Sequence, residues 1–448
     1  MELRRKVSED IKKWYKSNNK ALLIKGARQV GKTYVVRNVL KELGNKYYEV
    51  NLIESPEAID VIMKAADIDE LILGLSAIKD MPLVKKETVI FIDEVQKCKE
   101  LVTRIKFLVD EGSFRYILSG SLLGVELTNL ESAPVGYMTT IDMFPLDFEE
   151  FLQVTNITQN IMEHLRESFF KRKPIMDTVH SKLMSLFRQY LVVGGMPDAV
   201  STFAETRNLN DIIRIHNDII NLYKLDFTRY ESEDKKLQLI NLYEKIPAEL
   251  LKQNRRYVVT DVKKGLRFDR IEDSFLWLNN SGVAHSVYNA TEPRVPLKAN
   301  IKQSLFKLYL SDVGMLTSLY GMDTKRRIIS NDPHLNGGGI FENAVAQELK
   351  SKGFDLYYYN SNRLGELDFV IEYLGGSFPL EIKSGKDYTI HSALNNCLAN
   401  EQYEMNEAFV LADCNISSED KITYMPIYMT MFINNASDED VLLENITF

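Results

Sequence analysis

Two short segments near the start of the chain carry residues whose types and spacing suit the binding of phosphate. Residues 26–33, GARQVGKT, fit the pattern G-x-x-x-x-G-K-[ST] and lie between an apolar segment and a helical one. Glycines in such a loop let backbone N–H groups surround phosphate oxygens at the positive end of the following helix. Lys32 is then placed to reach the β- and γ-phosphates, and the Thr33 hydroxyl to ligate Mg²⁺. ATP with Mg²⁺ is therefore the expected ligand.

The second segment, residues 89–94 (VIFIDE), supplies the carboxylates that this chemistry needs. Asp93, at the end of a buried strand, suits the Mg²⁺ shell, and Glu94 is placed to polarise an attacking water. Ser119 or Ser121, at the end of the next strand, is a candidate sensor of the γ-phosphate; the alternative is an ordinary turn serine. A chance match is the alternative for the two motifs, but their order and context argue against it. The predicted nucleotide-binding residues are Gly26, Arg28, Gly31, Lys32, Thr33 and Ser119.

A second group of candidate residues lies near the C-terminal end, in two segments that alternate between polar and apolar residues. Residues 365–371 (GELDFVI) carry Asp368, and residues 379–385 (PLEIKSG) carry Glu381 and Lys383. Residues two apart in a strand share a face, so Glu381 and Lys383 are expected to point the same way. If the two strands pair, Asp368 and Glu381 can converge on one divalent ion, for which their oxygen ligands suit Mg²⁺ or Mn²⁺.

Two further residues would complete a catalytic set with this pair. Lys383 is placed to activate water or to offset phosphate charge, and Glu342, in the helical segment GIFENAVAQEL, is the expected fourth member. An E-x-K triplet alone is common, and any half-exposed sheet has one charged and one apolar face. The set within a helix–strand–strand–strand–helix–strand order is more specific and favours a nuclease-type fold. Cleavage is a separate question, because a fold does not fix a function.

The segments that must position these residues alternate between strand and helix patterns. Strands are predicted at 21–26, 47–52, 89–93 and 115–121, with helices at 4–18, 32–43 and 99–111. This alternation predicts a parallel α/β sheet. Residues 146–232 are helical in pattern and are interrupted by GGMP at 194–197. The C-terminal segments are predicted as a helix at 340–352, strands at 354–359, 366–373 and 379–384, a helix at 389–400 and a strand at 407–412.

Residues 235–295 have three short helical segments followed by the alternating stretch VAHSVYNA, a pattern similar to a winged helix-turn-helix. Residues 252–270 include seven basic residues and only two acidic ones. Such a patch could neutralise DNA phosphates. However, the expected recognition helix also carries Glu272 and Asp273. A winged helix used for domain packing or oligomer contacts is therefore an equal alternative, and a charge run is usually a solvated face.

Composition limits the remaining options. The 448 residues carry a net charge of −8, so no global positive field favours nucleic acid and DNA contacts need a local patch. Three cysteines at distant positions do not have the spacing of a disulfide framework or a zinc site. There is no apolar signal core and no apolar run of 18 residues, so a cytoplasmic protein with no membrane span is expected. The expected partner is ATP, with DNA, a protein partner and further copies of the chain left open.

Taken together, the motifs resemble those of a family of bacterial and archaeal AAA-type ATPases whose members carry a C-terminal domain of the PD-(D/E)xK nuclease superfamily. The resemblance covers nearly the whole chain. Its segments are GARQVGKT (26–33), FIDEVQ (91–96), LSGSLLG (118–124), FPLDFEEFL (144–152), YLVVGGMPDAV (190–200), KLYLSDVGMLTSLYG (307–321), GGIFENAVAQEL (338–349), GELDFVIE (365–372) and PLEIKSG (379–385). The first two are generic to P-loop ATPases, whereas the combination in this order is specific to the family.

The resemblance implies an α/β fold class: an AAA-type P-loop NTPase parallel sheet, a helical lid, a winged helix-turn-helix and a C-terminal restriction-endonuclease-like α/β domain. The corresponding ranges are 1–153, 154–232, 233–305 and 306–448. Lys32, Thr33, Asp93 and Glu94 would serve ATP, whereas Glu342, Asp368, Glu381 and Lys383 would form the nuclease set. Leu367 stands where the superfamily's named proline is expected. Tyr137 follows Gly136 where many relatives have arginine, so a role for that arginine does not transfer.

Two functional hypotheses follow. The first is an ATP-hydrolysing enzyme coupled to a nuclease-like domain that processes or binds DNA, supported by the Glu342, Asp368, Glu381 and Lys383 set. The second is a regulatory or signalling ATPase in which the nuclease fold is a non-cleaving binding module, favoured by the acidic net charge. Arg104 and Arg229 are candidates for an arginine finger, although surface arginines are common.

Overall fold

The computed structural model describes residues 3–17, 19–79, 81–121, 123, 136–227, 233–252, 255–257 and 271–435. The chain divides into two compact units. One comprises Glu2–Phe144 with Trp277–Val283, and the other comprises Pro145–Leu276 with Ala284–Phe448. In the part of the chain that the structure describes, no helix is long and apolar enough to cross a membrane.

The unit that contains residues 2–144 is built from alternating helices and strands. Its helices are α1 (Val7–Ser17), α2 (Lys32–Glu42), α3 (Glu57–Lys64), α4 (Ile68–Ile78) and α5 (Lys99–Glu111). Its strands are β1 (Ala21–Lys25), β2 (Lys46–Asn51), β3 (Thr88–Asp93), β4 (Arg115–Gly120) and β5 (Met138–Asp142). The predicted helices and strands of this region are confirmed, whereas α3, α4 and β5 were not predicted.

The five strands form one parallel sheet in the order β2-β3-β4-β1-β5. Strand β3 is buried along its whole length, as expected for an apolar strand covered on both faces. Strand β4 lies between β1 and β3. Because the carboxyl ends of parallel strands meet at one edge, the residues after β4 lie between the loop after β1 and the carboxylates after β3. Ligands of open α/β sheets bind at this edge.

The other unit contains helices along most of its described length. They are α6 (Phe148–Phe151), α7 (Gln159–Lys171), α8 (Asp177–Val193), α9 (Pro197–Thr206), α10 (Leu209–Phe227), α11 (Glu233–Leu251), α12 (Glu272–Asn280), α13 (Val313–Tyr320), α14 (Met322–Ile329), α15 (Gly338–Ser351) and α16 (Ser392–Leu398). The last residues of helix α12 belong to the first unit, which includes Trp277–Val283. The predicted break at GGMP is confirmed, since α8 ends at Val193 and α9 begins at Pro197.

A buried polar junction explains why this break carries glycines. Asp312, which caps α13, accepts a hydrogen bond from the backbone N–H of Gly195 at 2.6 Å. A Cβ atom at Gly194 would collide with the same carboxylate, and Gly194 also has a positive φ of 70°. The Nζ of Lys325, fully buried nearby, donates to the carbonyl of Gly314 at 3.0 Å. Every polar group named here has a partner, so the junction serves packing.

The strands of this unit form an eight-stranded mixed sheet in the order β12-β13-β11-β10-β9-β8-β6-β7. They are β6 (Ala284–Ala290), β7 (Ile301–Leu310), β8 (Tyr357–Ser361), β9 (Gly365–Tyr373), β10 (Gly376–Ile382), β11 (Ala408–Ala412), β12 (Ser417–Glu419) and β13 (Ile422–Pro426). Strand β9 runs antiparallel to its neighbours β8 and β10, and β11 runs parallel to β10. With α15 and α16, they give the predicted helix–strand–strand–strand–helix–strand order.

The segment predicted as a winged helix-turn-helix is only partly described. Its alternating stretch forms β6, but β6 pairs with β7 on one side and with β8 on the other. This hairpin is therefore part of the large sheet. Residues 258–270, including most of the basic patch, lie outside the described residues, so the helix-turn-helix stays a prediction. Residues 235–251 belong to the single helix α11.

Candidate functional site

The loop between β1 and α2, residues 26–33, has the backbone that its sequence requires. Gly26 and Gly31 have φ values of 155° and 92°. A Cβ atom at position 26 would collide with the carbonyl oxygen of Met143, the residue that continues β5. Gly31 caps the N-terminus of α2, whose first residue is Lys32. We call this loop, together with Asp93, Glu94 and Ser121, the phosphate-binding site, after the ligand that its sequence predicts.

The amine of Lys32 lies inside this loop. Its Nζ donates hydrogen bonds to the carbonyl oxygens of Gly26 and Ala27, at 3.0 and 2.8 Å, and to the Ser121 hydroxyl at 3.1 Å. Burial lowers the pKa of Lys32 to about 8, an effect that the charges of Glu94 and Asp93 oppose and that of Arg28 reinforces. An anion that binds beside such a buried lysine stabilises the protonated amine and raises its pKa.

The carboxylate of Asp93 accepts hydrogen bonds from residues at the ends of strands β2, β3 and β4 and from helix α2. Its Oδ2 accepts a hydrogen bond from the Thr33 hydroxyl at 2.7 Å and one from Asn51 Nδ2 at 3.4 Å. Its Oδ1 accepts from the Ser119 hydroxyl and from the backbone N–H of Glu94. The structure therefore brings the two predicted Mg²⁺ ligands, Thr33 and Asp93, into contact. A hydroxyl and a carboxylate are the oxygen donors that Mg²⁺ takes.

Glu94 is held by two local features. Its backbone is left-handed, with a φ of 57°, and its carboxylate accepts a hydrogen bond from Gln96 Nε2. Gln96 is buried, and a Cβ atom at Gly120 would collide with its Oε1. The glycine at the end of β4 thus makes room for the side chain that contacts Glu94. Sequence analysis did not assign Asn51, Gln96 or Gly120, although all three lie at or just after a strand end of the site.

The two serines that flank Gly120 have different neighbours. Ser119 is fully buried and its hydroxyl donates to Asp93, whereas Ser121 accepts a hydrogen bond from Lys32. Of the pair, Ser121 is the one that contacts Lys32; a sensor role for Ser119 stays a prediction. The Nη1 of Arg104 donates to the carbonyl oxygens of Ile62 and Ala65, at 2.9 and 3.0 Å, a contact that supports the last turn of α3. Arg229, the other arginine-finger candidate, lies outside the described residues.

The second candidate site lies on the mixed sheet. The register of β9 with β10 ends with Phe369 opposite Leu380, so Asp368 and Glu381 are the next residues along the two strands, and the backbone N–H of Ile382 donates to Asp368 Oδ2 at 2.8 Å. Directly opposed residues of an antiparallel pair lie on the same face. Lys383 follows β10, and its Nζ lies 2.9 Å from Glu381 Oε1. The predicted shared face of Glu381 and Lys383 is confirmed.

Glu342, on α15, completes a group that we call the carboxylate cluster. Its members are Glu342, Glu366, Asp368 and Glu381. The Oε2 of Glu342 accepts a hydrogen bond from the Tyr309 hydroxyl at 2.7 Å, and its Oε1 accepts one from Arg255 Nη1. The Nζ of Lys307 lies 2.8 Å from Glu366 Oε1 and 3.9 Å from Glu342 Oε2.

Burial and mutual repulsion disfavour charge in the cluster. Burial, followed by the charge of Asp368, raises the pKa of Glu342 to about 7 and that of Glu381 to about 8. For Glu366, burial raises the pKa, but Lys307 and the amide of Asn360 outweigh it, and the net pKa is lowered. The Oε2 of Glu381 is buried and has no hydrogen-bond partner among the described residues. Carboxylates held so close together favour a proton, a cation or a metal ion.

The structure brings Asp368, Glu381, Glu342 and Lys383 together, as predicted. Among the described residues, no group of three or more His, Cys, Asp or Glu side chains is arranged to hold a metal ion. Ligation of a metal by Asp368 and Glu381 stays a prediction. Lys307, Tyr309 and Glu366 were not predicted from the sequence, and Arg255 was predicted only as part of a basic patch. Lys307 and Tyr309 are two residues apart on β7, a spacing that signals a shared strand face.

In the first unit, a parallel α/β sheet carries a glycine-containing loop between β1 and α2, the arrangement typical of P-loop NTPases. Residues 18–152 match the family described as an AAA domain. Residues 184–326 and 337–429 match two families described as domains of unknown function, DUF8612 and DUF4143. No curated protein matches the chain.

The solved structures that are similar to the chain include the following three. The Walker-type ATPase PABY2304 of Pyrococcus abyssi is 15% identical with a TM-score of 0.42, over 71% of this chain and 96% of that chain. The ORC1 protein of Aeropyrum pernix, solved in complex with DNA, is 13% identical with a TM-score of 0.25, over 73% and 91%. Cdc6p from Pyrobaculum aerophilum is 10% identical with a TM-score of 0.24, over 73% and 93%.

Proposed function

We propose that the chain binds and hydrolyses ATP at the phosphate-binding site, and that this activity is coupled to a nuclease-like domain that processes or binds DNA. The observation that carries the first part is the 2.7 Å contact between the Thr33 hydroxyl and the Asp93 carboxylate, with Lys32 and Glu94 beside them. These four side chains supply what phosphoryl transfer to water needs, which is charge neutralisation, metal ligation and a base.

Each residue has a separate role in this proposal. The loop N–H groups and Lys32 bind the phosphates, and Lys32 exchanges its bonds to the Gly26 and Ala27 carbonyls for phosphate oxygens. Thr33 and Asp93 would hold Mg²⁺, which supplies neutralisation of the negative charge on the phosphates. Glu94 accepts a proton from the attacking water, and Gln96 orients the Glu94 carboxylate through their hydrogen bond.

The second part of the proposal rests on the carboxylate cluster. Asp368 and Glu381, with Glu342 from a helix and Lys383 on the same face, resemble the residue set of PD-(D/E)xK nucleases. Carboxylate oxygens suit Mg²⁺ or Mn²⁺, and the Oε2 of Glu381, buried without a partner among the described residues, is consistent with such a ligand. Lys383 would stabilise the negative charge that develops on a phosphodiester.

A regulatory ATPase with a non-cleaving module is the alternative, and one observation favours it. Arg255, Lys307 and Lys383 already form ion pairs with the carboxylate cluster. A cluster that is balanced by side-chain cations can serve binding and packing with no metal ion.

One experiment separates the two functions. Purified full-length protein is incubated with ATP and with plasmid or single-stranded DNA, in Mg²⁺ or Mn²⁺, and phosphate release and DNA cutting are measured in parallel. ATP hydrolysis with metal-dependent cutting supports the nuclease-like function. ATP hydrolysis with intact DNA supports the regulatory alternative, and absence of both contradicts the proposal.

A further inference from the structure

Arg255 differs from the other cations of the carboxylate cluster in where its charge lies. Lys307 is fully buried and pairs at 2.8 Å with Glu366, at one side of the cluster. Lys383 pairs with Glu381. Arg255 donates to Glu342, and its Nη1 also lies 3.9 Å from Asp368 Oδ1. Among the described residues, it is the cation that forms ion pairs with both Glu342 and Asp368.

The helix that carries Glu342 is shaped to admit this guanidinium group. Gly338 lies four residues before Glu342 in α15, so both face the same side of the helix. A Cβ atom at position 338 would collide with Arg255 Nη2. The absence of a side chain at Gly338 therefore makes the space that Arg255 occupies.

The contact is nevertheless incompletely satisfied. The Arg255 side chain is 21% exposed, compared with 0% for Lys307. The buried Nε of Arg255 has no hydrogen-bond partner among the described residues. Guanidinium N–H groups that are buried without partners weaken a contact. Lys383 is 26% exposed but forms its ion pair with Glu381, so Arg255 is the partly exposed cation that contacts both Glu342 and Asp368.

The formal charges favour exchange over addition. Four carboxylates are in ion-pair contact with three cations, and a bound metal ion would hold all four carboxylates in their ionised form. A divalent ion added to this set would leave one positive charge in excess. A divalent ion that replaces Arg255 would leave the set neutral. Buried charge is tolerated when it is paired, so the neutral arrangement is the favoured one.

We propose that Arg255 occupies the side of the proposed metal site that Glu342 and Asp368 form, and that a metal ion bound by the carboxylate cluster displaces it. This inference rests on the proposed metal-binding role of the carboxylate cluster. Displacement frees a guanidinium group at the edge of the site, where it can pair with a phosphate group of the nucleic acid. Metal binding and the position of the 255–257 segment are thereby linked.

The test measures Mn²⁺ binding to the full-length protein without nucleotide, by the loss of the free Mn²⁺ electron paramagnetic resonance signal. Binding that disappears in Asp368→Ala defines the cluster's site. Arg255→Gln removes the competing charge, and Gly338→Ala displaces the guanidinium group while keeping it in the chain. Lys252→Gln, which removes one positive charge at a residue paired with Glu249, is the matched control. Circular dichroism and melting curves verify that each variant is folded.

Arg255→Gln and Gly338→Ala should each tighten Mn²⁺ binding about tenfold or more, because a neighbouring charge changes ion affinity by that order. Lys252→Gln and Arg255→Lys should bind like the wild type. If the Asp368-dependent site exists but Arg255→Gln binds no more tightly than the wild type, the displacement proposal is wrong and the metal site stands. If neither protein has an Asp368-dependent site, the metal-binding role fails, and the displacement proposal fails with it.

Discussion

The phosphate-binding site and the carboxylate cluster are built in opposite ways. The first is largely local: one eight-residue loop supplies both glycines, Lys32 and Thr33, and the ends of neighbouring strands supply the rest. The second is assembled from distant parts of the chain, and Arg255 and Glu342 are 87 residues apart. A local site depends on a short backbone conformation, whereas a distributed site depends on the packing of the whole sheet.

Their electrostatics are also opposite. Burial lowers the pKa of Lys32 in the phosphate-binding site, and it raises the pKa of Glu342 and Glu381 in the carboxylate cluster. In each site the protein disfavours the charge that its ligand would stabilise. The first site would therefore gain from an anion, and the second from a cation.

The largest expected effect is on DNA cutting. If the cluster cleaves, Asp368→Ala and Lys383→Ala should each reduce metal-dependent cutting to background, since one removes a metal ligand and the other the charge beside the phosphodiester. ATP hydrolysis should be retained in both variants. Lys386→Ala, at an exposed lysine three residues further on, is the control and should cut like the wild type. If both variants still cut DNA, the carboxylate cluster does not cleave, and its function as a binding module is favoured.

The next effect sharpens the electrostatic contrast. In the nucleotide-free protein the pKa of Lys32 is about 8, and phosphate oxygens raise it because they stabilise the charged amine. Binding therefore takes up a proton above pH 8, and ATP affinity should weaken as pH rises from 8 to 9.5. Up to about tenfold is lost per pH unit when one proton is linked. Titration with a fluorescent ATP analogue measures it. A Lys32→Arg variant, whose side chain stays charged, should show a flat profile; the same slope in both proteins would exclude Lys32.

A smaller effect tests the support of Glu94. Gln96→Ala removes the hydrogen bond to Glu94, and Gly120→Ala pushes the Gln96 amide out of place. Each should lower kcat by about tenfold, the scale of one hydrogen bond to a charged group, with KM unchanged. Because both act through one contact, the double variant should be no slower than either single variant. Additive losses, or a changed KM with normal kcat, would assign the pair to folding or binding.

The two sites differ in how much the sequence could predict. The loop at 26–33, Asp93 and Glu94 were predictable because their motif is contiguous and its backbone geometry is local. The shared face of Glu381 and Lys383 followed from the two-residue period of a strand. The placement of β4 between β1 and β3 did not follow, because strand order is set by packing. For that reason, the sequence could not distinguish the environment of Ser119 from that of Ser121.

Packing between distant parts of the chain also determines the remaining features that the sequence did not predict. Arg255 appeared as one charge of a basic patch, because nothing in its neighbourhood indicates Gly338 or Glu342. The stretch VAHSVYNA was predicted as part of a winged helix-turn-helix, and only the hydrogen-bond partners of β6 show that it belongs to the large sheet. Helices α3 and α4 lie between two predicted strands, in a segment without a chemical motif.

The central claim is that the phosphate-binding site hydrolyses ATP, with Lys32 acting in binding and Glu94 in the reaction with water. The direct measurement is the rate of ATP hydrolysis at saturating ATP, together with nucleotide affinity, for the wild type, Lys32→Ala and Glu94→Gln. Lys32→Ala should lose affinity. Glu94→Gln should bind like the wild type and turn over about 10²–10⁴-fold more slowly, as removal of a general base does. Equal hydrolysis by the wild type and Glu94→Gln would contradict the account.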